Sequence, residues 1–170
     1  HQTESPMIYR MRATLDTEND VIRDFEIEAT ATLEELHDAV SQSFGFAGNE
    51  MASFYRSDEN WTQGEELPLI DMGVGEKPLN EKQLKKIISE NENRLIYVYD
   101  FLNLWTFFVE LIETAEKDHL KGYPSLIFSH GEVPETPPDK DFVAQEGVDE
   151  NLIDQEDDLE EDEFDGDQFY

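Results

Sequence analysis

The sequence predicts an α+β fold: a mostly antiparallel sheet with a β-grasp-like start (hairpin then helix), helices packed on one face, and a disordered acidic C-terminal tail. Three observations predict it. Residues 7–15 and 21–29 alternate apolar and polar side chains around a polar turn. An apolar series at helical spacing follows directly. The final 22 residues carry 12 acids and no Lys or Arg.

The elements follow in order. Met7, Tyr9, Met11, Ala13 and Leu15 share one parity, with Ile8, Arg10, Arg12 and Thr14 on the other, which predicts a half-buried strand. The cluster 16–20 is a turn. Residues 21–29 return as a second strand with Phe25 and Ile27 inward. Thr32 is a helix N-cap, and Glu35 stands at the capping-box spacing. Leu33, Leu36, Val40 and Phe44 form the inner stripe, and Gly45 ends the run. Residues 51–56 predict a short strand, and 65–75 an irregular stretch anchored by Leu67, Leu69 and Ile70. Asn80 is expected to cap a second helix with Leu84, Ile87 and Ile88 inward. Residues 94–100 and 105–113 are strands of high β propensity joined by the turn Phe101-Leu102-Asn103-Leu104. A last extended piece, 124–128, precedes a proline-rich connector at 133–139. The 11 Phe, 6 Tyr and 2 Trp are ample for one core.

Charge divides the 170 residues. The 42 acids against 12 bases give −30; removing the 12 acids of the final 22 residues still leaves −18. The folded domain is therefore expected over 7–142 and the acidic low-complexity tail over 143–170. Such acidity argues against direct binding to nucleic acid, whose affinity comes from Lys and Arg displacing counterions. It argues equally against an anionic membrane surface. No run of 18 apolar residues is present, and residues 1–6 carry no secretory signal pattern. Zero cysteines exclude a disulfide framework and a thiolate metal site, and fit a reducing cytoplasm.

Several segments together resemble the plasmid pRiA4b ORF-3-like family. The helix Thr32-Leu33-Glu34-Glu35-Leu36-His37-Asp38-Ala39-Val40 with Phe44-Gly45-Phe46 is similar to that family's helix. Tyr97-Val98-Tyr99-Asp100-Phe101-Leu102-Asn103-Leu104-Trp105 resembles its Tyr-Asp-Phe-Gly-Asp-x-Trp signature, and Gly122-Tyr123-Pro124 its Gly-Tyr-Pro step. Leu102-Asn103 stands where the family has Gly-Asp, so one carboxylate is missing, and Phe107 stands where a His is common. The resemblance implies an α+β fold and an association with plasmids and transposable elements; it implies no established activity.

The candidate polar site is His37, Asp100, Asn103, Trp105 and Tyr123. Asp100 ends an apolar strand, where it is either a functional acid or the organiser of its own turn together with Asn103. His37 lies beside the helix's inner stripe, as a general base or as a hydrogen-bonded residue at the core edge. Arg10, Arg12 and Arg23 are either a small anion site or cross-strand partners of Glu26, Glu28 and Asp24. The run Gly73-Val74-Gly75-Glu76-Lys77 lacks Walker spacing and reads as a surface turn. No two histidines fall at a metal-binding helical spacing, and no cofactor is expected. The expected function is a non-enzymatic acidic interaction module, linked to a mobile genetic element, that binds a basic protein partner. The alternatives are a hydrolase-type enzyme using Asp100 with His37 or a recruited metal, and an acidic nucleic-acid mimic.

Overall fold

The alternation over residues 7–28 becomes a hairpin, and the rest of the sheet is laid against it. The structure, a computed structural model, describes residues 6–69 and 81–138. Strands β1 (Met7–Leu15) and β2 (Ile22–Glu28) pair antiparallel and lead into helix α1 (Leu33–Ser43). Strand β3 (Ala52–Arg56), the three-residue β4 (Glu66–Pro68), β5 (Arg94–Tyr99), β6 (Trp105–Glu116) and β7 (Ser125–His130) follow. They form one seven-stranded sheet in the order β4-β3-β5-β6-β1-β2-β7. Every pairing is antiparallel, including the central β1–β6 pair. The hairpin-then-helix opening is therefore present, in a sheet without a parallel pair among the described residues.

The expectation of several helices on one face requires correction. Among the described residues α1 is the one α-helix, and Leu84–Lys86 form a single 3-10 turn. Leu84, Ile87 and Ile88 are buried as expected, but by that turn rather than by a helix. The turn is pinned to the junction between β2 and α1: Leu33 N donates to Lys82 O, and Leu84 N donates to Ala31 O. A helical spacing of three apolar residues is satisfied by one tight turn as well as by a helix. The expected cap Asn80, and the run Gly73 to Lys77, lie outside the described residues.

Helix α1 starts where its residues require. Glu35 N donates to Thr32 Oγ1 at 3.1 Å and Thr32 N donates to Glu35 Oε1 at 2.8 Å, a closed capping box of about 1 kcal/mol. Gly45, at φ +91°, reverses the chain after Phe44. Leu33, Leu36 and Val40 are fully buried against the inner sheet residues Met11, Phe25, Phe54, Tyr97 and Phe107. Their burial carries the fold, at about 1.5–3 kcal/mol per large apolar side chain.

The opposite parity of β1 and β2 faces outward and pairs charges directly across the ladder. Arg10 lies opposite Glu26 and bonds it at 2.6 Å; Arg12 lies opposite Asp24 and holds both its oxygens, at 2.8 and 2.9 Å. Arg10 also donates to Glu113, and Lys121 donates to Glu26 at 2.8 Å. Arg23 does not join them. It has the other parity, donates to the carbonyls of Ser43, Ile22 and His130, and lies over the Phe44 ring. The three arginines are thus cross-strand and capping groups, not a converged anion site.

Candidate functional site

His37 projects from α1 into the sheet. Its Nε2 is 3.0 Å from Gly48 O, an acceptor only, so Nε2 carries the proton. Its Nδ1 is then the acceptor for the Tyr97 hydroxyl at 2.5 Å. Tyr97 is completely buried, and desolvation raises its phenol above the ordinary value of 10.0, so it remains a donor. Asp38 Oδ1 approaches His37 Nε2 only to 3.8 Å and does not displace the Gly48 carbonyl.

Gly48 is held from both sides. Its N–H donates to the Tyr99 hydroxyl at 3.0 Å while its carbonyl accepts from His37. Its φ is +84°, and a Cβ there would stand 3.1 Å from Ser41 Oγ, so the position requires glycine. Phe46 packs against Tyr99 at 5.2 Å and against Trp105 at 4.9 Å. The loop between α1 and β3 is clamped onto the sheet by this set of rings and hydrogen bonds.

Asp100 lies at the end of β5 and builds the following turn. Its N–H donates to Met51 O, and its carbonyl accepts from Asn103 N and Leu104 N. Its carboxylate accepts from Leu102 N at 3.2 Å and from Asn103 Nδ2 at 2.6 Å. Asp100 and Leu104 both take positive φ, +67° and +57°. For a bulky Leu that conformation costs about 1–2 kcal/mol. The rigid turn lifts Leu102, 94 % exposed, and Phe101, 43 % exposed, into solvent beside Met51. Glu50 and Asp100 adjoin these apolar side chains in the chain.

His37, Tyr99, Phe46 and Trp105 therefore form one cluster, and Asp100 with Asn103 the adjoining turn. Tyr123 is not part of either. It accepts a hydrogen bond from Asp118 N at 3.0 Å and, with Pro124, Glu28, Thr30 and Glu35, lines a shallow cavity of about 160 Å³. Small-molecule sites generally need about 300–1,000 Å³. Among the described residues no three His, Cys, Asp or Glu side chains are placed to hold a metal ion. No described helix is long and apolar enough to cross a membrane.

The sequence reading missed Tyr97, Tyr99 and Gly48. The two tyrosines sit at the i, i+2 spacing that puts both on the inner face of β5, which was readable. Gly48, the partner of Tyr99, lies about 50 residues away in a loop, and His37, the partner of Tyr97, lies on α1, so no local pattern joins them. Leu102 was placed in a turn, but nothing in its local sequence shows that its side chain is exposed.

An antiparallel sheet with, among the described residues, a single α-helix and a clamped helix-to-strand loop places the protein among α+β sheet proteins. Its sequence matches the plasmid pRiA4b ORF-3-like protein family over residues 7–163, and the chain belongs to that family. A crystal structure of a protein of unknown function from Methanosarcina mazei Go1 has the same fold. It superposes with a TM-score of 0.65 at 16 % identity, covering 79 % of this chain and 76 % of that one. No curated protein matches the chain.

Proposed function

We propose that this protein is a non-enzymatic interaction module, accessory to a mobile genetic element, that binds a basic protein partner. The contact is the tip Met51–Phe101–Leu102. The observation that carries this reading is the exposure of Leu102 on a turn held rigid by Asp100, within a strongly acidic chain. Residues 1–138 contain 27 acids and 11 bases, a balance of −16. Arg10, Arg12, Arg56, Arg94, Lys117 and Lys121 each already face a carboxylate, so the excess negative charge is free to act outward. A rigid apolar point in a negative field suits a partner with an apolar cleft rimmed by Lys and Arg.

The reading of a hydrolase fits less well. His37 uses both ring nitrogens to hold Tyr97 and Gly48, so its imidazole has no free lone pair, and the Asp100 carboxylate is engaged with its own turn. A general base needs a free lone pair within reach of substrate.

The test is a fluorescence-anisotropy titration of the full chain with two labelled peptides of equal length and charge. One alternates Lys with Leu, the other Lys with Ser. Burial of one Leu predicts about tenfold tighter binding of the Lys/Leu peptide. Leu102→Glu abolishes that difference, and duplex DNA fails to bind. Equal binding of the two peptides, or a difference that survives Leu102→Glu, overturns the reading. Displacement of DNA from a basic protein, with no preference between peptides, would select the nucleic-acid mimic instead.

A further inference from the structure

Peroxides oxidise side-chain sulfur, and every sulfur in this chain is a thioether: the sequence has 4 Met and no Cys. No thiol competes for the oxidant. Among the described residues the methionines differ in access. Met51 is 52 % exposed, Met7 38 % and Met11 1 %. Met11 is packed into the core of the sheet, where the folded protein shields it. Met72 lies outside the described residues.

Met51 stands at the apolar tip, and the fold keeps it there. Its carbonyl accepts from Asp100 N at 2.7 Å. The next residue, Ala52, pairs with Tyr99 across the sheet. On the other side Gly48 is bonded to His37 and to Tyr99. The backbone is thus held both before and after Met51, and the thioether stays exposed beside the turn that carries Phe101 and Leu102. In a chain of net charge −30, anionic oxidants are repelled, whereas neutral hydrogen peroxide is not.

We propose that Met51 is an oxidation site that switches off the apolar contact of this tip; the inference rests on the contact proposed above. The thioether sulfur attacks one oxygen of hydrogen peroxide. An S–O bond forms and the O–O bond breaks. The proton on the attacked oxygen passes to the departing one, which leaves as water. Sulfur is oxidised by two electrons and the peroxide is reduced by two. The product is a sulfoxide, a polar acceptor that an apolar cleft would have to strip of water. It carries no charge, so the attraction between the acidic chain and Lys is unaltered. Oxidation therefore removes the preference for an apolar partner and keeps the affinity for a basic one.

Hydrogen peroxide treatment of the full chain tests this, read by peptide mapping and by the anisotropy titration. Met51 is expected to convert to the sulfoxide well before Met11. Once it has converted, the Lys/Leu peptide is expected to bind about tenfold more weakly, no better than the Lys/Ser peptide, whose own affinity is unchanged. Methionine sulfoxide reductase is expected to restore the difference. Met51→Leu keeps the preference before and after peroxide, which separates Met51 from Met7 and Met72. Met51→Gln, a permanent polar group at the tip, loses the preference without peroxide and keeps the circular-dichroism spectrum. Conversion of Met51 no faster than that of Met11 overturns the proposal. So does a preference that peroxide abolishes equally in Met51→Leu. A preference that survives complete oxidation of Met51 overturns this inference alone, whereas a chain with no preference before peroxide overturns the contact at the tip as well.

Discussion

The hydroxyl of Tyr97 donates to Nδ1 of His37 across 2.5 Å, joining helix α1 to the middle of β5 between residues 60 positions apart in the chain. The same ring holds the carbonyl of Gly48 with its other nitrogen. One imidazole thus fixes helix, sheet and loop together, with a tautomer set by the carbonyl.

Removing the Tyr97 hydroxyl leaves the buried Nδ1 without a donor. Tyr97→Phe is expected to lower the unfolding free energy by about 1–3 kcal/mol, the cost of an unsatisfied buried polar group. His37→Ala is expected to lose at least as much, since it also frees the Gly48 loop. Urea denaturation of both variants measures this. A Tyr97→Phe protein as stable as the wild type would show that the hydrogen bond is not structural.

At the turn, the carboxylate of Asp100 satisfies Leu102 N and the Asn103 amide while its backbone takes a positive φ. Asn tolerates that conformation and keeps an acceptor for the Leu102 amide; Ala does neither well. Asp100→Ala is expected to cost about 1–2 kcal/mol and Asp100→Asn less than half of that. Equal losses in thermal unfolding would contradict the role given to the side chain.

Glu26 sets a pH dependence. Hydrogen bonds from Lys121 and then from Arg10 hold its carboxyl below the ordinary 4.5 in the folded protein. The unfolded chain therefore binds more protons than the folded one in this range, and stability rises with pH. The contribution is complete above about 4.5 and disappears as pH falls through the depressed folded value. Glu26→Gln is expected to flatten the wild-type decline between about pH 5 and pH 3, measured by urea midpoints. A variant that declines as steeply as the wild type would remove Glu26 as the cause.

Much of the fold was readable because its determinants are local. Two-residue alternation placed β1 and β2 and chose which parity is buried. Thr32 and Glu35 placed the start of α1, while the pairing of Arg12 with Asp24 needed the hairpin register that the structure shows. Leu84, Ile87 and Ile88 misled because three apolar residues at helical spacing satisfy a single 3-10 turn equally well. The candidate site was legible only in part. Asp100 and Asn103 interact within one turn and could be paired from sequence. His37 lies at the core edge, one of the two readings its position in the sequence left open, but its partners Tyr97 and Gly48 are tertiary and have no sequence periodicity. Tyr123 separated from the others because β7 pairs with β2 at the far end of the sheet from β3.

The most direct measurement is a chemical-shift map of the ¹⁵N-labelled protein titrated with the Lys/Leu peptide. The account predicts that the amides of Met51 and of residues 101–103 move first and saturate together, while those of Glu28, Glu35 and Tyr123 stay in place. Shifts concentrated around Tyr123, or none at any peptide concentration that saturates the acidic surface, would contradict it.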